Sequence, residues 1–216
     1  MPFGVDEAGK GPALGSMFAA AVHCEEPDVL PEGIADSKRL APERREELAA
    51  TLREDDRIAV GSSEIPPALI DDPETDMNSL AVRAHAEAIE ATLDAPAAPV
   101  SGLCDACDTD ADRFARRVTD ACGLEVDLVA EHGADDDDPI VGAASIVAKV
   151  ARDAHMAALA DEYGSVGSGY PSDPTTREFL ESYVAETGEL PPFARESWST
   201  CTNVLAESQQ TGLEQF

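Results

Sequence analysis

Apolar positions recur along this chain in two rhythms. Short runs at Phe3–Asp6 and Met17–Cys24, joined by a segment containing glycine and proline, read as strands, and Arg57–Ile65 supplies a third. Together they predict a meander. Between the second and third runs, Pro42 and the charged stretch after it through Leu52 predict an exposed helix with proline at an early position. Asn78–Leu93 predicts a clearer helix, capped by Asn78 or Ser79, with Leu80, Ala84, Ala88 and Leu93 near one face.

After a Pro/Ala connector at Ala95–Pro99, Val100–Cys104, Ala111–Cys122 and Leu124–Val129 form a strand-helix-strand pattern. Ile140–Tyr163 carries the longest helical pattern, preceded by the acidic run Asp135–Asp138, which reads as a solvated loop. Gly164–Pro174 reads as a loop and Thr175–Glu186 as a last helix. Beyond Pro191 and Pro192 the chain becomes polar and is expected to be irregular up to Phe216. The fold class that follows is α/β, a mixed sheet with helices on its faces. The expected organisation is a core over residues 1–163, a loop and helical extension over 164–205, and a flexible tail over 206–216.

Composition adds a constraint. Of 216 residues, 44 are acidic and 15 basic, for a formal charge of −29, while 43% are hydrophobic. That apolar share can bury a core, so the charge reads as the surface of a folded protein adapted to salt, not as disorder. Lysine occurs only at Lys10, Lys38 and Lys149. Five cysteines, an odd number, and a start without a basic or apolar leader predict a reducing, cytoplasmic location. The longest uncharged stretch near the start, Pro12–Cys24, is shorter than the ~18 apolar residues of a membrane span.

Chemistry concentrates at the end of the first strand. Asp6 and Glu7 lead directly into Ala8, Gly9, Lys10, Gly11 and Pro12, where the glycines let backbone approach a ligand. Gly4–Lys10 also satisfies GxxxxGK, the phosphate loop of nucleotide hydrolases. Against that alternative, Gly11 stands where a Ser or Thr would hold magnesium, and two carboxylates would sit in the phosphate cradle. Cys104 and Cys107 form a CxxC with no second pair at zinc-finger spacing, and so read as core thiols. His155 reads as an ordinary helix residue.

GVDEAGKG at the start, DSKRL at Asp36–Leu40, ASIVAKVARD at Ala144–Asp153, SGYPSDP at Ser168–Pro174 and ESWST at Glu196–Thr200 resemble ribonuclease HII, in the order of that family and over nearly the whole chain. The acidic composition resembles its archaeal, halophilic branch. The resemblance implies a ribonuclease H-like five-stranded mixed sheet flanked by helices. It also implies an endonuclease that cuts the RNA strand of RNA/DNA hybrids and ribonucleotides embedded in duplex DNA, leaving 5′-phosphate and 3′-hydroxyl ends. Carried over motif by motif, it assigns Asp6, Glu7, Asp105 and Asp153 as the catalytic carboxylates, holding two Mg2+ or Mn2+ ions. Asp108, Asp110 and Asp112 lie close to Asp105 and compete with it.

The type of side chain suits that chemistry, since magnesium prefers oxygen ligands and paired ions can activate a water and stabilise a departing oxygen. Four clustered acids without metal should repel one another and raise some of their pKa values. Gly9, Lys10, Gly11 and Tyr170 match the family's sensor of the 2′-hydroxyl, with Lys10 in place of the usual arginine and so without its planar fork. Ser37, Lys38 and Lys149 are further substrate-binding candidates, and all three lysines fall in these motifs. Lys149 precedes Asp153 by one helical turn, so a plain helix ion pair is its alternative.

The last residues, QTGLEQF, resemble the peptide that docks on sliding clamps, with Gln210, Leu213 and Phe216 as anchors. A monomeric enzyme is expected. A non-catalytic module that only associates with a clamp is the remaining alternative.

Overall fold

The computed structural model describes residues 2–34, 40–94 and 98–213, and of residues 211–213 only the backbone. Its strands are β1 (Phe3–Ala8), β2 (Met17–Cys24), β3 (Ile58–Ile65), β4 (Val100–Asp105) and β5 (Val126–Glu131). They form one sheet in the order β3-β2-β1-β4-β5. β1 runs antiparallel to β2, pairing Asp6 with Ala20, and parallel to β4, which is parallel to β5. The expected mixed five-stranded sheet is therefore present, and β1 lies at its centre.

The helices are α1 (Pro42–Glu54), α2 (Pro67–Ile70), α3 (Met77–Thr92), α4 (Ala111–Ala121), α5 (Ala134–Asp137), α6 (Pro139–Tyr163), α7 (Pro174–Thr187) and α8 (Ser199–Leu213), with a 3-10 turn at Pro27–Val29. Local chemistry sets several starts. The Asp110 carboxylate accepts from Arg113 N at 2.9 Å to cap α4, and Asp173 accepts from Thr175 N at 2.9 Å ahead of Pro174 in α7.

Two compact units are built from interleaved segments, instead of dividing at one point after residue 163. The first comprises residues 1–8, 17–64 and 77–152, the second 9–16, 65–76 and 153–216. In the first unit, α1 and the start of α6 bury Leu48, Leu52, Ile140, Ala144 and Val147 with Ala20, Val22 and Cys24 of β2. Gly4 is what lets α6 approach β1: a Cβ there would fall on the backbone of Ile140 and Val141. In the second unit, Leu14, Met156, Val166, Leu180, Val184, Phe193 and Cys201 form a separate apolar cluster.

Three expectations need correction. α1 is amphipathic, not simply exposed, because Leu48, Ala49 and Leu52 are buried. The segment after Pro192 is irregular only as far as Trp198, and no flexible tail begins at 206, since α8 runs from Ser199 through Leu213. Cys201 and Val204 are buried and Leu205 packs against them, a helical spacing that the polar residues between them mask. The acidic run at Asp135–Asp138 is not a solvated loop: α5 occupies most of it, and Asp135 is only 4% exposed. No helix among the described residues is long and apolar enough to cross a membrane.

Candidate active site

Successive residues of a strand point to opposite faces of its sheet, so Asp6 and Glu7 leave β1 in opposite directions. Asp6 shares the face of Gly4 and turns toward α6, where Ser145 hydrogen-bonds it. It is 4% exposed. Burial pushes its carboxyl up to about 7, and the charges of Asp105 and Asp135 add to the effect, while Ser145 and then Lys149 oppose it. The mutual repulsion expected of clustered acids is present, but loss of hydration outweighs it.

Glu7 turns toward α3. Its Oε2 lies 3.4 Å from Nε2 of the fully buried His85, whose Nδ1 is 2.9 Å from the Ala81 carbonyl oxygen. Because a carbonyl oxygen only accepts, Nδ1 carries a proton and donates it in that second contact. The His85 ring meets Phe114 edge-on at 5.0 Å, so packing from α4 fixes its plane.

Asp105 ends β4, and its Oδ1 accepts from Ala134 N at 2.9 Å. This bond ties the strand end to the first residue of α5, whose second residue is Asp135. Asp135 is followed into α6 by Ser145 and Lys149: its Oδ2 lies 3.5 Å from Ser145 Oγ and 3.8 Å from Lys149 Nζ. Lys149 Nζ donates to Ser145 Oγ at 2.5 Å. Asp108, the nearest competitor of Asp105, is engaged elsewhere, with Arg113 Nη2 donating to its Oδ1 at 2.6 Å and holding its pKa below the usual range. The Cys104 thiol is held far above its usual pKa by burial, then by Cys107, Glu7, Asp105 and Asp6, and is inert as a nucleophile. Cys104 is the core thiol expected; Cys107 is only half-buried.

The first unit thus brings Asp105 and Asp135 within electrostatic reach of Asp6, with Lys149 as the cation among them. Asp135 is the residue that sequence reading missed. A run of four identical residues gives no local signal, and only its place at the second position of α5 separates it from the other three. Among the described residues, no three His, Cys, Asp or Glu side chains are drawn into a finished metal cage. The donor set still fits a hard divalent cation, because every available donor is a carboxylate oxygen and burial leaves their charge undercompensated by one ammonium.

In the second unit, the segment Gly9–Ser16 connects β1 to β2. Gly9 has φ +89°, a conformation costly for any other residue. Ala13 N donates to the Gly169 carbonyl oxygen at 2.8 Å, so this segment is sewn to the loop that carries Tyr170. Tyr170 is 40% exposed, and its ring would lie 3.7 Å from a Cβ on Gly11. Because the chain returns as β2 after Ser16, no helix follows Lys10, and the phosphate-loop alternative fails on topology. Ser16 N donates to His155 Nε2 at 3.3 Å, which gives that histidine a structural contact. Asp153 is half-buried on α6, one turn beyond Lys149. Gln210 is exposed near the end of α8, Leu213 is its last residue, and Ser37, Lys38 and Phe216 lie outside the described residues.

A family model described as ribonuclease HII matches residues 3–201. The ribonuclease HII of Haloarcula marismortui is 60% identical over 216 residues, the full length of both chains. Among solved structures, ribonuclease H2 from Pyrococcus horikoshii superposes with a TM-score of 0.88 at 35% identity, covering 97% of this chain and 99% of that one. The ribonuclease HII of Archaeoglobus fulgidus, solved as a complex with PCNA, gives 0.81 at 37% identity over 94% of this chain and 96% of the other.

Proposed function

We infer the mechanism from the premise that this chain belongs to the ribonuclease HII family and is an endonuclease acting on the RNA strand of RNA/DNA hybrids. The observation that carries the site assignment is the burial of Asp6 at the end of the central strand, with Asp105 and Asp135 acting on it electrostatically. Divalent metal is a requirement of the family, and we assign two ions, Mg2+ or Mn2+, to these carboxylates. Bound there, the ions would activate the attacking water and stabilise the departing 3′ oxygen. The chain's own part is to supply negative oxygen atoms from a dry, fixed frame: β1 presents Asp6, β4 presents Asp105, and the Asp105–Ala134 bond holds α5 with Asp135. Glu7, turned to the other face against His85, keeps its place as a metal ligand on its motif alone. Lys149 offsets part of the charge until metal arrives. Products with 5′-phosphate and 3′-hydroxyl ends follow from this scheme, whereas cutting at single embedded ribonucleotides is assigned from the family's motifs.

The fourth carboxylate has two claimants. Motif resemblance favours Asp153, whereas the geometry of the first unit favours Asp135. Cleavage of an RNA/DNA hybrid by Asp135→Asn and Asp153→Asn separates them. The assignment to Asp135 predicts a loss of at least about a hundredfold in kcat for that variant, with Asp153→Asn retaining more activity. The reverse order returns the place to Asp153.

Gly9, Lys10, Gly11 and Tyr170 are assigned to the ribose, supported by the placement of the Tyr170 ring beside Gly11. Lys38 and Ser37 remain substrate contacts on their motif alone. A clamp partner is supported by the Archaeoglobus relative solved with PCNA. We assign the contact to Gln210, Leu213 and Phe216, which truncation before Gln210 would abolish in a clamp titration. A reducing, cytoplasmic location is the reading that five free thiols support, and a monomer is the state we propose.

A further inference from the structure

Arg195 is fully buried, yet each nitrogen of its guanidinium is used on one short loop. Its Nε donates to the Gly15 carbonyl oxygen at 2.9 Å, Nη1 to that of Lys10 at 2.9 Å, and Nη2 to that of Gly9 at 2.6 Å. Its own backbone N–H donates to the Ala13 carbonyl at 2.8 Å. Trp198, whose ring centre is 5.1 Å from the guanidinium carbon, donates Nε1–H to the Gly11 carbonyl at 3.2 Å. Two side chains three residues apart therefore take up the carbonyls of Gly9, Lys10 and Gly11 in succession.

The consequence follows from peptide geometry. A trans peptide is planar and its N–H points opposite to its C=O. With the Gly9 and Lys10 carbonyls turned onto the guanidinium, the N–H groups of Lys10 and Gly11 point to the other side. Gly9, at φ +89°, makes the turn that allows this. Burying a cation is costly, and here that cost is offset by hydrogen bonds to three backbone carbonyls that an apolar side chain would leave unsatisfied. A lysine could carry the same charge, but only arginine has the rigid planar fork that fixes the orientation of two consecutive peptides.

We infer that Arg195, assisted by Trp198, is a positioning residue that aims the Lys10 and Gly11 amides at the 2′-oxygen of the scissile ribonucleotide. This rests on the assignment of the Gly9–Gly11 loop to the ribose. It gives ribose selectivity a source in the backbone, which the lysine at position 10 does not disturb.

The test is binding without added divalent metal, at high KCl, to two duplexes that differ only in one ribonucleotide against the same deoxynucleotide. The wild type prefers the ribonucleotide. Arg195→Lys, which keeps the charge and loses the fork, reduces that preference by about tenfold, as for one well-placed hydrogen bond, with affinity for the all-deoxy duplex unchanged. Trp198→Phe moves it in the same direction by less. If Arg195→Lys weakens both duplexes equally and keeps the preference, Arg195 is only structural and the inference is overturned. Should Arg195→Lys fail to fold by circular dichroism, Trp198→Phe decides, and an unchanged preference overturns it. A wild type with no preference defeats the assignment of the loop itself, and the inference falls with it.

Discussion

The buried carboxyl of Asp6 gives metal-free stability an unusual pH dependence. Its pKa in the folded chain is about 7, against 3.8 as the ordinary value. Between those limits the folded state holds a proton that the unfolded state has released, so stability falls as pH rises from about 4 to about 7 and then levels off. The cost is on the order of a few kcal/mol for a group so deeply buried. Asp6→Asn is expected to abolish cleavage and yet raise the melting temperature of the metal-free protein at pH 8. Melting curves from pH 4 to 8 check this, and a variant less stable than the wild type at pH 8 contradicts it. Asp6 and Glu7 stood out as candidates because a strand, two acids and a glycine-rich segment follow one another, but the motif that pairs them does not itself show that they leave the strand on opposite faces. Asp135 and Arg195 did not stand out, since one hides in a run of identical residues and the other acts through backbone carbonyls 180 to 186 positions away.

At the scale of elements, the position of α6 against β1 decides whether Ser145 and Lys149 reach the acids. Gly4 sets that approach, because any Cβ there would overlap the backbone of Ile140 and Val141. Gly4→Ala is expected to cost about 3 kcal/mol or more, since backbone on both sides must shift. It should also reduce metal-dependent turnover beyond what the lost stability explains; denaturant melts combined with assays on the folded fraction separate the two effects. The strands and most helices were legible from their apolar rhythm, down to Met17–Cys24, which matches β2 at both ends. α8 was not, because Cys201, Val204 and Leu205 are too few among serines, threonines and glutamines to declare a face. α5 is a single turn, too short for any period to show.

For the whole molecule, the charge of −29 is the controlling quantity. At ionic strengths near 1 M the Debye length is about 3 Å, and self-repulsion of the acidic surface is largely screened. The melting temperature is expected to rise steadily with KCl, and a salt-independent melt contradicts a salt-adapted surface. Composition made this property legible, while the two interleaved units were not, because residues 9–16 and 65–76 join the second unit from far away in sequence.

On the proposed function, carboxylates delivered by β1, β4 and α5 hold the metal that drives hydrolysis. The most direct measurement is single-turnover cleavage, at high KCl, of a DNA duplex carrying one ribonucleotide, by the wild type and Asp6→Asn, with magnesium or manganese and then with chelator. The expected outcome is one cut at the ribonucleotide with a 5′-phosphate product, strict dependence on divalent metal, and no detectable cut by the variant. Cleavage that survives chelation, or normal turnover by Asp6→Asn, would contradict it.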